Sequence, residues 1–369
     1  MEHVAARCPD HSWNESFHAE AGSDHVLDVR ATTTGLTAGI WYHAMPIQWR
    51  CAENMDVVTL GETLYLINSP VRTSIDRASQ ARLSFAGAES NVAIGLARLG
   101  HSVRWLSAVG DDPFGRAIVK TLRGEGVDVS HAIIDPNAST AVMLRSQRAY
   151  AEPEVFYYRT GSACSRLTGE SFTTEALDDA EVLFISGITP ALSEGCRELI
   201  VNLAKSARQH GRQVWFDPNY RSKLWSQYEF RATTTELLRS VDVVLTGMAE
   251  GQMLTGGDTP ADIANRLRDR EPLRVIIKAG AEGGFCFDAA TEKHASAFAL
   301  REIVDPIGAG DGFVAGFMSA TLDGMLPTEC LLRGNAVGAM VCMAEGDWEG
   351  LPTRAELARF LSGRTESQR

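Results

Sequence analysis

From Met55 onward, short β-branched runs alternate with stretches of helical spacing, and no other feature of the 369-residue chain restricts its fold as much. The runs at 57–60, 103–109, 182–185, 214–216, 243–245 and 275–277 place apolar residues on both faces rather than at every second position, with Thr59, Arg104 and Ser107 the polar exceptions. A strand that is apolar on both faces must be covered on both, and an intervening helix returns the chain so that neighbouring strands run parallel. The spacing predicts helices over 90–99, 113–123, 194–209 and 261–268, the first closed by Gly100 and the second opened by Asp112 and Pro113. After Asp305 the pattern is helical at 309–322, 327–344 and 354–361. The expected fold class is α/β in three layers, with a mostly parallel central sheet whose ligands lie beyond the strand carboxyl ends.

Two segments break the alternation. Residues 140–144 and 154–158 read as strands joined by a polar link, and 64–85 is also free of helical spacing. These segments, about 64–86 and 138–162, are expected to form a small β-lid that excludes water from the site; an antiparallel extension of the sheet edge is the alternative. A lid with exposed edge strands also offers a surface for homo-oligomerisation.

Composition narrows the partners. A net charge of -12 with 44% hydrophobic residues implies a globular protein with a substantial core and no field that draws in nucleic acid or an anionic membrane. An anionic substrate would therefore need local positive charge. The seven cysteines form no C-x-x-C pair and no metal-type spacing, which fits a reducing, cytoplasmic setting. No run has the length of a membrane span, and the N-terminus lacks the pattern of a secretory leader.

Residues 1–54 differ from the rest, carrying five of the nine histidines and no sustained period. We expect an extension with little packed structure, and the main domain to begin at Met55. His11, His18 and His25 are evenly spaced but have no Cys or paired carboxylates beside them, so a loose tail is the plainer reading than a metal site.

The stretch Asp305-Pro306-Ile307-Gly308-Ala309-Gly310-Asp311-Gly312 joins a turn, a glycine-rich loop and a carboxylate at the start of an apolar helix. Glycines flanking Ala309 let backbone N–H groups converge, and a helix opening there adds its positive end, which makes an anion hole suited to a phosphoryl group. Asp311 would sit beside the hole, kept ionised by the helix N-terminus, and accept a proton from a hydroxyl. A turn followed by an Asp cap is the alternative for this octapeptide alone. A second loop, Lys278-Ala279-Gly280-Ala281-Glu282-Gly283-Gly284, follows a buried strand directly; Lys278 could meet nucleotide phosphates there, or the loop could be a tight turn between strands. No G-x-x-x-x-G-K-[ST] occurs, so these loops do not belong to a P-loop nucleotide site.

Together these segments resemble the ribokinase-like, PfkB-type sugar kinases, which show D-x-x-G-A-G-D near the C-terminus, a K-x-G-x-x-G nucleotide loop and an N-terminal G-x-x-x-N-x-A. The last reads Gly87-Ala88-Glu89-Ser90-Asn91-Val92-Ala93 here, and Gly110-Asp111-Asp112-Pro113-Phe114-Gly115 matches the G-D-D-x-F-G that follows it. The four motifs occur in family order over about 55 to 345. Within the family the likeness is strongest to 2-keto-3-deoxygluconate kinases, on 156–163, on Phe216-Asp217-Pro218-Asn219-Tyr220-Arg221 and on 95–100.

The resemblance implies ATP and Mg²⁺, with Asp311 as base and the backbone of Gly308, Ala309, Gly310 and Asp311 stabilising the transferred group. It implies a sugar acid engaged by Arg159 and Arg221, with Gly87, Asn91 and Tyr157 in the same pocket, and ATP held by Lys278, Gly280, Gly283, Gly308, Gly310 and Asn335. An arginine's bidentate fork suits a carboxylate on independent grounds, although a surface or ion-pair role would explain either arginine taken singly. Likewise Asn335 could be an ordinary helix-surface side chain. One departure stands out: the family's N-x-x-E reads Gly247-Met248-Ala249-Glu250, which keeps Glu250 as an indirect support for Mg²⁺ and loses the asparagine. Another is Ala86-Gly87 in place of a glycine pair. The alternatives are a related kinase for fructose, ribose or another deoxy-keto acid, and a sugar-acid sensor without turnover.

Overall fold

The computed structural model describes residues 55–148, 153–268, 274–288 and 291–367. The expectation for residues 1–54 falls outside that set.

An eight-stranded sheet forms the centre. In chain order its strands are β1 (Met55–Leu60), β4 (Val103–Leu106), β9 (Ala180–Ser186), β10 (Gln213–Asp217), β11 (Val243–Gly247), β12 (Arg274–Lys278), β13 (Gly284–Phe287) and β14 (Glu292–Ala295). They lie in the order β14-β13-β12-β11-β10-β9-β1-β4, and every neighbouring pair is parallel except β12–β13 and β13–β14, because β13 alone runs in the opposite direction. Successive side chains feed opposite layers. Val57, Phe184, Trp215 and Leu245 pack into one core, while Val58, Leu183, Phe216 and Val244 pack into the other.

On the first face lie α1 (Ala88–Arg98), α2 (Pro113–Gly124), α7 (Ala309–Leu322) and α8 (Pro327–Cys342). The second face carries α3 (Glu194–Gln209), α4 (Gln227–Leu237) and α6 (Pro260–Arg268), with α5 (Met248–Thr255) following β11 and α9 (Arg354–Ser367) ending the chain. Local chemistry sets several starts: Asp112 accepts from Gly115 N at 2.8 Å to open α2, and Ser193 accepts from Cys196 N to open α3. Residues 312–320 of α7 are all buried, as an all-round apolar helix must be.

One expected strand divides. The run 103–109 splits at buried Ser107 into β4, which stays in the central sheet, and β5 (Ala108–Gly110), which pairs instead with β6 (Ile133–Asp135). The Ser107 carbonyl accepts from Ile133 N at 2.9 Å, so the break hands the ladder from one sheet to the other. Apolar runs alone carry no sign of such a transfer.

The helix-free segments build a separate four-stranded sheet from β2 (Leu64–Asn68), β3 (Arg82–Ala86), β7 (Val142–Ser146) and β8 (Glu154–Tyr158), in the order β3-β2-β7-β8. Its own small core holds Leu64, Leu66, Ala86, Ala141 and Met143.

Candidate active site

The carboxyl ends of β1, β9, β10, β11 and β12 converge with the N-termini of α1 and α7, and most of the expected site residues meet there. Helix α7 begins at Ala309 because Gly308, in the left-handed region at φ 78°, turns the chain into it. A Cβ on Gly308 would lie 1.9 Å from the Asp347 carbonyl oxygen, so only glycine fits. The Ala309 N–H donates to the Pro306 carbonyl at 3.3 Å, which leaves the first-turn amides of Gly310 and Asp311 at the open helix end.

Asp311 stands in the first turn, and its Oδ2 accepts from Asn91 Nδ2 of α1 at 2.8 Å. Burial pushes its carboxyl above the usual range; the Asn91 bond and the charges of Lys278 and Arg221 work against that shift, and Glu250 adds to it. The expectation from sequence is that the helix N-terminus favours the charged form of Asp311; removal from water acts the other way and is the largest effect. A carboxylate whose proton affinity is raised by burial is a stronger base for a hydroxyl proton.

Lys278, at the end of β12, donates to Asp217 Oδ2 at 2.5 Å instead of standing free. Burial raises the Asp217 carboxyl to about 6, and burial disfavours the Lys278 ammonium, yet the charges of Asp217, Glu250 and Asp311 hold the lysine above its ordinary value. The pair is thus ionic at pH 7. It also lies against the anion loop, for a Cβ on Gly310 would be 3.8 Å from Lys278 Nζ.

A cavity of about 550 Å³ opens beside this loop, lined by Lys278, Gly280, Gly283, Gly310, Phe313 and Asn335 among others, and its walls are mainly apolar. Gly283 has φ 96°, and a Cβ there would lie 2.1 Å from the Ala295 carbonyl oxygen. The Asn335 side chain is buried, its Nδ2 donating to the carbonyls of Ala295 at 2.8 Å and Ser296 at 3.2 Å. It is therefore not a helix-surface residue; it ties down the wall of the cavity.

A second cavity of about 580 Å³ is lined by Arg148, Tyr157, Arg159, Tyr220, Arg221 and Lys223, with Glu154 as the acid among them. Arg221 is exposed, and its charge reaches Asp311. Arg159 is not: its Nε donates to Glu62 Oε2 at 2.8 Å, Ser162 Oγ donates to Glu62 Oε1 at 2.5 Å, and Glu62 is only 2% exposed. Arg159 therefore takes the ion-pair arrangement that its sequence left open beside the sugar-acid role, with Glu62 meeting much of its charge. Its guanidinium also lies 5.5 Å from the Tyr157 ring centroid. Gly87 opens α1 in extended backbone against the Glu62 carbonyl, where a Cβ would stand 2.7 Å away.

Glu250 accepts from Gly247 N and from Tyr220 N, both at 2.9 Å. Both carboxylate oxygens are therefore engaged by backbone. Its charge still raises the proton affinity of Asp217 and Asp311, a concentration of negative charge that a divalent cation would relieve. Among the described residues no three acidic, His or Cys side chains close into a metal cluster.

Sequence reasoning passed over Glu62, Glu89, Arg145, Asp217 and Lys223. Asp217 ends β10 and Glu62 lies two residues beyond the end of β1, positions at the carboxyl edge of the central sheet that could have marked them. Arg145, an arginine inside an apolar strand run, was a similar signal.

Residues 54–354 match the pfkB family carbohydrate kinases. The 2-dehydro-3-deoxygluconokinase of Bacillus subtilis (strain 168) is 38% identical over 310 residues, covering 84% of this chain and 96% of that protein. The 2-dehydro-3-deoxygalactonokinase of Haloferax volcanii is 33% identical over 310 residues, 84% of this chain and 97% of its own. Among solved structures, a PfkB protein from Polaromonas sp. JS666 superposes with TM-score 0.75 at 36% identity, over 82% of this chain and 99% of that one. With the matched fold, the glycine loop at the start of α7 and the Asn91–Asp311 pair in place, the chain belongs to the pfkB family of carbohydrate kinases.

Proposed function

We propose that this kinase transfers the γ-phosphoryl group of ATP to the 6-hydroxyl of 2-keto-3-deoxygluconate. The observation that carries the reading is the position of Asp311 at the mouth of α7, with Gly310 bordering the mainly apolar cavity and Arg221, whose charge it feels, bordering the basic one. The apolar cavity suits a nucleoside, with Lys278, Gly280 and Gly283 toward its phosphates and Asn335 fixing the wall. The basic cavity suits a sugar acid: Arg221 is the accessible guanidinium for the carboxylate, with Arg159, Lys223 and Tyr157 around it. Relatives that act on such acids, at 38% and 33% identity, support that choice over a neutral sugar.

In the reaction, Asn91 holds Oδ2 of Asp311 so that the carboxylate faces the substrate hydroxyl and takes its proton as the oxygen attacks phosphorus. The open amides of Gly310 and Asp311 and the Lys278 ammonium stabilise the equatorial oxygens of the group in transfer. Mg²⁺, bound chiefly through nucleotide phosphates and water, would neutralise charge there, supported through Glu250 and the acidic field of Asp217 and Asp311. The four-stranded sheet acts as a lid over the basic cavity, where Lys223 Nζ donates to the Val155 carbonyl of β8 at 2.6 Å.

The test is ADP release by the full chain with Mg-ATP and a panel of 2-keto-3-deoxygluconate, 2-keto-3-deoxygalactonate, gluconate, fructose and ribose. The expected result is the highest kcat/KM for the first, and a loss of about 10²- to 10⁴-fold in kcat for Asp311→Asn with ATP still bound. Turnover confined to neutral sugars would overturn the acid reading. A galactonate preference would place the chain with the other group of relatives.

A further inference from the structure

The small sheet is fixed to the catalytic loop by a buried ion pair. Arg145, on β7, donates through its two terminal nitrogens to the two oxygens of Asp305, at 2.7 Å and 3.0 Å. Both side chains are almost wholly withdrawn from solvent, at 5% and 7% exposure. Asp305 opens the stretch that ends in Asp311, and its Oδ1 also accepts from Ile307 N at 3.2 Å, one residue before the left-handed Gly308. One carboxylate therefore holds the turn that aims α7 and is itself held by a strand of the other sheet.

A third segment meets them. The Asp347 carbonyl is the group that leaves no room for a side chain on Gly308, and burial raises the Asp347 carboxyl to about 7 while the charge of Arg145 opposes that rise. Arg145 thus lies where the small sheet, the 305–308 turn and the 346–348 loop come together. A buried ion pair is poor at stabilising a fold compared with apolar packing of the same volume, but its fixed bidentate geometry admits one arrangement of the groups it joins.

We propose that Arg145 is a positioning residue for phosphoryl transfer: it makes the transfer-ready shape of the Gly308–Asp311 loop depend on the seating of β7. The inference rests on reading that loop as the phosphoryl site. Arg145 touches neither substrate in this account and acts through Asp305.

Full-length Arg145→Lys and Arg145→Gln test it, with kcat, KM for sugar acid, calorimetric Kd for ATP, thermal midpoint and amide hydrogen exchange measured for each. Lysine keeps the charge and loses the fork, so it serves even if the glutamine variant folds poorly. The expected result is a fall in kcat of about 10- to 100-fold with ATP Kd and sugar KM within about threefold, because small misplacements of reacting groups act on the transition state. Arg145→Lys should retain more activity than Arg145→Gln, and exchange over 305–311 should quicken in both while the β9–β10 amides stay protected. A kcat within about threefold of the unsubstituted protein, or unchanged exchange over 305–311, overturns the proposal, as does a kcat loss matched by an equal loss of ATP affinity. If the unsubstituted protein phosphorylates no sugar acid, it is the functional reading that fails, and the exchange measurement still decides the role of Arg145.

Discussion

Glu89 shows how much a single buried group can report about this site. It lies at the start of α1, fully buried, accepting from Ser186 Oγ at 2.7 Å and Thr189 Oγ1 at 3.0 Å, and burial raises its carboxyl to about 7. Because the folded form binds a proton that the unfolded chain gives up near its ordinary value, the contribution of Glu89 to stability is full at low pH and is lost as pH rises toward 7. Glu89→Gln should flatten that decline, removing a pH-dependent component on the order of 3 kcal/mol, checked by urea unfolding at a series of pH values. A slope identical to that of the unsubstituted protein would show that the carboxyl titrates normally. The Glu89 charge is coupled to Asp311, so the same variant should also move the acid limb of the pH–rate profile to lower pH. The sequence showed Glu89 within its motif but not its burial, since burial depends on Ser186 and Thr189 folding over it.

At the scale of elements, the segment from Asp305 through α7 was the most legible part of the chain. Its glycines, its carboxylate and the apolar run behind them specify a turn, a helix start and an anion site through sterics and dipoles that act within a few residues. Gly308→Ala tests this directly. The left-handed backbone costs an alanine about 1–2 kcal/mol, and the Asp347 carbonyl must move as well. The variant should unfold at lower temperature and lose more in kcat than in ATP affinity; unaltered kinetics would mean that the loop need not keep this shape. By contrast, the division of 103–109 into β4 and β5 could not be read in advance, because β6 and Ser107, rather than any change in hydrophobicity, cause it.

At the scale of the whole molecule, the outer face of the small sheet leaves apolar side chains open to solvent. Leu83, Ile67, Leu144 and Phe156 form one cross-strand row, and Val142 and Tyr158 stand in the next. Leu83 is 60% and Tyr158 64% exposed. Apolar rows of this kind beside open edge strands favour a second copy as cover. Sedimentation of the full chain should therefore give a dimer, and the double substitution Leu83→Lys with Tyr158→Lys should give a monomer. A monomer without substitution would remove the sheet from consideration as an interface.

The sequence by itself determined the α/β alternation, the capped helix starts and the glycine loops, because each follows from periodicity or backbone sterics within a short span. Only the tertiary structure decided which charges meet. Asn91 reaches Asp311 across 220 residues, Arg145 reaches Asp305 across 160, and Arg159 reaches Glu62 across 97. Of the two roles that the sequence left open for Arg159, the structure shows the ion pair, with Glu62 as its partner. Ionisation follows the same rule, for the carboxyls of Asp217, Glu89 and Asp347 are raised by burial that exists only once the sheets and helices have closed around them.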